Sequence, residues 1–151
     1  MIIFLNGPSS SGKSTISRAL QQKHHEPLLA IGIDTFISMM PIKYIGRGEL
    51  AKKGFEFITT SDDQGKITRV EVGEYAKKVC NTGAEIVSLM AQNGHSLIVD
   101  ETLFGDEPLQ DYLKALKEEA VYFVGIFCPL ETLLEHEKSR GNRSPGLARE
   151  Q

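Results

Sequence analysis

Ile2-Ile3-Phe4-Leu5-Asn6-Gly7-Pro8-Ser9-Ser10-Ser11-Gly12-Lys13-Ser14-Thr15 stands at the amino end of the chain, and its reading decides the fold. Residues 2–5 form an unbroken apolar run, the pattern of a strand covered on both faces. The eight residues from Gly7 to Ser14 satisfy G-x-x-x-x-G-K-[ST] in full. Two glycines let such a loop turn sharply, so that successive N–H groups point inward around phosphate oxygens. Lys13 is then placed to reach the outer phosphates of a nucleotide, and Ser14 to ligate Mg²⁺. A helix predicted over residues 13–23 adds its positive dipole end, with Ile16, Ala19 and Leu20 on one face and Pro27 beyond it. Gly7, Pro8, Ser9, Ser10, Ser11, Gly12, Lys13, Ser14 and Thr15 are therefore the expected nucleotide contacts. The three serines count mainly as side chains small enough to keep the loop open.

Working outward, strands and helices alternate. Residues 28–33 read as a second strand and 35–40 as a short helix halted by Pro41. Residues 74–93 carry Tyr75, Val79, Ile86, Val87 and Met90 on one helical stripe, with Gly94 as the stop. A third strand is expected over 96–99, a helix over 110–118, a fourth strand over 121–127 and a last helix over 131–139. This order implies right-handed βαβ units and a mostly parallel sheet, a three-layer α/β P-loop NTPase fold in a single domain over residues 1–151. Residues 43–72 have another texture. Gly46, Gly48 and Gly54 break them, Phe55 and Phe57 alternate with polar residues, and the alternation resumes through Val70 and Val72. A hairpin-like insertion over one sheet edge is predicted there.

Ligands of parallel sheets lie at the carboxyl ends of the strands, so acids at those ends are the candidates. Leu97-Ile98-Val99-Asp100 has the form of a Walker B strand, whose Asp supports Mg²⁺; a carboxylate capping a local turn is the plain alternative. Asp34 is either the base that takes a proton from an acceptor hydroxyl or the N-cap of the helix at Thr35, roles one side chain can combine. Glu101 holds the acceptor, orients a water as an ATP-hydrolysing switch would require, or has a plain structural place. Arg140 and Arg143 lie past the last helix, among Gly141, Pro145 and Gly146. They either close as a lid on a transferring phosphoryl group or, with Lys138, offset the helix dipole. Met40, Phe55, Phe57, Leu103 and Phe104 are the candidate lining of an apolar acceptor pocket.

Composition narrows the classes further. A formal charge of -3 lacks the basic field of a general nucleic-acid or anionic-membrane binder, so neither partner is expected. The longest apolar run, residues 121–128, is far short of the ~20 residues that span a bilayer. Residues 1–5 are apolar but follow no basic stretch, a poor signal peptide. Cys80 and Cys128 form no CxxC pair and read as buried thiols of a cytoplasmic protein. Asp62-Asp63-Gln64-Gly65 matches a GTPase-like D-x-x-G but sits in a polar turn, and no N-K-x-D follows anywhere. His24, His25, His95 and His136 have no metal-ligand spacing; His136 lies on a charged helix face.

The residues taken together resemble the chloramphenicol phosphotransferases. The likeness rests on the opening stretch through Gly12-Lys13-Ser14, on Glu26-Pro27-Leu28-Leu29-Ala30-Ile31-Gly32-Ile33-Asp34 and Met40-Pro41, and on Phe55-Glu56-Phe57. It continues through Ile98-Val99-Asp100-Glu101, the stretch from Gly125 to Cys128, and Arg140-Gly141-Asn142-Arg143 with Gly146 and Ala148. The resemblance implies a nucleoside-monophosphate-kinase-like fold and transfer of the ATP γ-phosphoryl group, with Mg²⁺, to a small-molecule hydroxyl. In that family the acceptor is the 3-hydroxyl of chloramphenicol, and another metabolite or nucleotide-sugar hydroxyl is the alternative here. The resemblance makes Asp34 the proposed base and Arg140 and Arg143 the lid arginines. The insertion over residues 43–72 is longer and more charged than the family pattern, and Glu101 replaces a second Asp. The sequence is expected to stop inside the lid-like segment, before a further strand and helix of the family.

Overall fold

A computed structural model describes residues 1–103, 105–140 and 144–150. The chain runs β1 (Ile2–Asn6), α1 (Lys13–Lys23), β2 (Leu28–Gly32) and α2 (Ile33–Met39), then β3 (Ile45–Gly46), β4 (Phe55–Asp62) and β5 (Gly65–Val72). It continues through α3 (Glu74–Gln92), β6 (Ser96–Glu101), α4 (Asp106–Ala115), β7 (Val121–Gly125), α5 (Leu130–Arg140) and α6 (Leu147–Glu150). These elements form two compact units. The first takes Met1–Gly7, Gly12–Phe36 and Val79–Ile126; the second takes Pro8–Ser11, Ile37–Lys78 and the described part of Phe127–Gln151.

The first unit holds a four-stranded sheet in the order β2-β6-β1-β7, every pair parallel. The unbroken apolar run of β1 follows from its place inside this sheet. Ile2 and Phe4 pack with Leu97 and Val99 against Ala84 and Val87 of α3, while Leu5 turns to the other face with Ile98, beside Ile16 and Leu20 of α1. Each such buried side chain contributes about 1.5–3 kcal/mol relative to exposure. Tyr112 of α4 closes the first layer edge-on against the Phe4 ring, with centroids 4.8 Å apart. β7 is apolar up to Gly125, yet Tyr122, Phe123 and Val124 are exposed, because β7 is an outer strand of the sheet.

The parallel register brings the ends of β1, β2 and β6 level. Asn6 faces Glu101 and Gly32 faces Asp100. A Cβ on Gly32 would run into the Asp100 carbonyl oxygen, so the close approach of these two strand ends requires glycine. Two helix starts differ from the sequence expectation by two residues or more. α2 begins at Ile33, which makes Asp34 its second residue instead of its cap. α4 begins at Asp106, four residues early, because Pro108 is tolerated in a first helical turn.

In the second unit β4 and β5 form the antiparallel hairpin predicted from the alternation, turning at residues 62–65, and β3 adds a short parallel strand along β4. Residues 144–150 are fastened to it by polar contacts. The Thr68 N–H donates to the Gly146 carbonyl at 2.9 Å, and the Thr68 hydroxyl to the Pro145 carbonyl at 2.7 Å. The buried Glu137 carboxylate of α5 accepts the N–H groups of Gly146 and Ala148 at 2.7 and 3.2 Å. Arg149 makes a two-pronged contact with Asp62, holding that carboxyl down at about 2.

Candidate active site

The residues between β1 and α1 adopt the backbone of an anion cradle. Ser10 (φ 65) and Gly12 (φ 91) are both left-handed, and Ser10 is the sole non-glycine residue among those described with positive φ. Alternating left- and right-handed residues turn consecutive N–H groups inward. Gly12 caps α1 and, as a glycine, brings no side-chain hydrogen bond to the first-turn N–H groups. The side-chain oxygens of Ser10 and Ser11 are buried without a hydrogen-bond partner among the described residues. Orphaned hydroxyls within a phosphate-loop motif fit a phosphate, which accepts from both. Thr15, exposed in the first turn, donates its N–H to the Gly12 carbonyl.

Lys13 is 7% exposed, and its Nζ donates to the Gly7 carbonyl at 2.8 Å and to Thr102 Oγ1 at 3.0 Å. The Ser14 hydroxyl donates to Asp100 Oδ2 at 2.8 Å. A hydroxyl and a carboxylate so paired are the hard oxygen donors that Mg²⁺ takes beside phosphate oxygens. Ser14 and Asp100 also line one cavity of about 200 Å³. Arg18 and Gln21 of α1 contribute to its wall, as do Asp34 and Thr35 at the start of α2. The strand ends thus bring Ser14, Asp100 and Asp34 around one space.

Glu101 has the structural surroundings that the sequence left open. It is 3% exposed, and its Oε1 accepts the Tyr112 hydroxyl at 2.7 Å. Burial first, then the neighbouring Asp100 and Asp34, push its carboxyl up to about 7 against the pull of the Tyr112 hydrogen bond and Lys13. Burial and the Glu101 carboxylate likewise raise the Tyr112 hydroxyl, and burial carries the Cys80 thiol to about 11. Side chains alternate along β6, so Asp100 and Glu101 face opposite ways. Glu101 is therefore a core partner of Tyr112 and is not among the residues around the cavity.

The apolar candidates scatter. Met40 and Phe55 are buried in the second unit, and Phe57 lies half-buried on β4 opposite Val70. Leu103 packs onto the core of the first unit. Leu103 is not among the residues around the cavity of Ser14, Asp100 and Asp34 in that unit. Arg140 ends α5 with its side chain exposed; Phe104 and Arg143 lie outside the described residues. Three contacts had no signal in the sequence. Thr102 belongs to no motif, Tyr112 lies eleven positions from its carboxylate, and His136 donates from Nδ1 to the Ser10 carbonyl at 3.0 Å instead of facing only solvent.

The sequence model of the chloramphenicol phosphotransferase-like protein family matches residues 1–151. A protein of Mycobacterium tuberculosis (strain ATCC 25618 / H37Rv), provisionally named an O-phosphotransferase, is 26% identical over 149 residues. The match takes in 98% of this chain but 66% of that protein, so the chain spans just under two-thirds of its relative. An unliganded sugar kinase from Janibacter has a similar fold, with a TM-score of 0.65 at 19% identity over 99% of this chain and 74% of its own. A chain of the Pnkp1/Rnl/Hen1 RNA repair complex reaches 0.64 at 19% identity over 95% of this chain and 38% of its own. The fold is thus that of P-loop kinases, as expected. The expectation that nucleic acid is no partner gains no support, since one similar fold belongs to an RNA repair complex.

Proposed function

Since the chain belongs to the chloramphenicol phosphotransferase-like family, we propose that it transfers the γ-phosphoryl group of ATP to the hydroxyl of a small-molecule acceptor. The observation that carries this reading is the single cavity around which Ser14, Asp100 and Asp34 meet. The loop amides and Lys13 bind the nucleotide phosphates and offset the charge that gathers on them. Ser14 and Asp100 would hold Mg²⁺, which when bound neutralises phosphate charge. Asp34 orients the acceptor hydroxyl and takes its proton as the acceptor oxygen bonds to phosphorus and the bond to the ADP oxygen breaks. Arg140 and Arg143 keep the lid role that the family resemblance implies.

Chloramphenicol is one acceptor under this reading. A second is favoured by the polar part of the cavity wall, to which Arg18, Gln21 and Thr35 contribute beside Asp34. A polyhydroxylated metabolite would find hydrogen-bond partners there. The test is mass spectrometry of acceptors incubated with the protein and Mg·ATP, with ADP release measured alongside. The panel holds chloramphenicol, hexoses, nucleosides and a short RNA with free hydroxyl ends. The expected outcome is a mass gain of one phosphate on one class, matched by acceptor-dependent ADP release. ADP release indifferent to every acceptor would point instead to a nucleotide-hydrolysing switch.

A further inference from the structure

The residue that follows the acidic pair has no place in the phosphate-loop motif, yet the geometry points to Thr102 as a positioning residue that fixes the Lys13 ammonium for nucleotide phosphate. The inference rests on the phosphotransferase reading above. An ammonium as buried as that of Lys13 is tolerated only where acceptors meet its protons. Thr102 Oγ1 and the Gly7 carbonyl accept from it at 3.0 and 2.8 Å. The Thr102 hydroxyl has one proton, and the Gly7 carbonyl takes it at 3.2 Å. Its lone pairs are thereby left for Lys13, so the hydroxyl is oriented as an acceptor.

The sheet sets the corners of this triangle. Asn6 is in register with Glu101, so Gly7 and Thr102 leave two neighbouring strand ends side by side. One residue on, the Leu103 N–H donates to Asn6 Oδ1 at 3.2 Å and fastens the same two ends. A lysine has one of the largest side-chain entropies, and held acceptors reduce what must be ordered when phosphate arrives. A neutral acceptor suits this task better than a carboxylate would. It satisfies the ammonium protons and leaves the positive charge uncancelled for the phosphate.

Calorimetric titration of the intact chain with a non-hydrolysable Mg·ATP analogue tests the assignment in a double-mutant cycle. Thr102→Val removes the acceptor at nearly constant volume and is expected to weaken binding about tenfold, the scale of a lost bond to a charged group. Thr102→Ser keeps the hydroxyl and restores most of the affinity. In a Lys13→Met background Thr102→Val adds no further loss, because its effect runs through the lysine. Thr102→Ala carries the same test should the valine variant fail to fold. Unchanged affinity in Thr102→Val, or equal weakening with and without Lys13, overturns the positioning role. Wild-type protein that binds no analogue overturns the phosphotransferase reading itself, a distinct outcome.

Discussion

In the parallel-sheet unit, the interior is built by apolar side chains on both faces of β1 and β6, and its buried Lys13 and Glu101 each answer to a named polar partner. In the hairpin unit, residues 144–150 are held instead by polar side chains reaching backbone, through Glu137 and Thr68. The difference separates two kinds of sensitivity. Substitution at the polar positions around the phosphate loop and cavity of the first unit should remove chemistry while the fold survives, because its stability resides in apolar burial. Substitution at the polar positions of the second should remove structure, because unsatisfied buried groups cost more than lost contacts.

The largest effect is expected in the first unit. Lys13→Met should lower acceptor phosphorylation about 10³-fold, as loss of a preorganised charge at a phosphoryl group does, with the melting midpoint close to wild type. A matching loss of stability would merge the two kinds of sensitivity and break the contrast. Next comes Glu137→Ala in the second unit, which leaves the Gly146 and Ala148 amides without their carboxylate. It should cost about 3 kcal/mol in urea unfolding and speed hydrogen exchange over residues 144–150.

An effect of similar size belongs to Glu101, and its sign is fixed by linkage. Its carboxyl sits at about 7 in the folded protein against an ordinary 4.5, so between those values the folded state binds a proton that the unfolded chain has released. Stability is therefore highest below the window and falls as pH rises through it, by about 3 kcal/mol in all. Glu101→Gln should flatten that slope in metal-free unfolding curves from pH 4.5 to 8; a slope that persists assigns it elsewhere. The smallest effect is expected from Arg149→Ala. Its partner Asp62 is exposed, and solvent screens such pairs, so the midpoint should move less than in Glu137→Ala.

The contrast also explains what the sequence disclosed. β1, the loop and the two acids Asp34 and Asp100 were readable because apolar runs and motif spacing fix which residues stand at strand ends. The hairpin was readable from period-two alternation. Alternation does not say what an inward face meets, so Phe55 and Met40 looked like pocket lining and are buried in the second unit. Contacts across long separations left no local trace. Lys13 meets Thr102 across 89 positions, and His136 meets Ser10 across 126. Glu101 shows the same gap in another form, since only the pleat of β6 decides that it turns away from Asp100.

The central claim is that Asp34 faces the hydroxyl that receives the phosphoryl group. The most direct measurement compares ADP release and acceptor phosphorylation by wild type and Asp34→Asn, each with and without acceptor. The account predicts that acceptor phosphorylation drops at least about 10²-fold while nucleotide affinity is kept, since Asp34 is exposed and outside the loop. Phosphorylation by Asp34→Asn at the wild-type rate would contradict it.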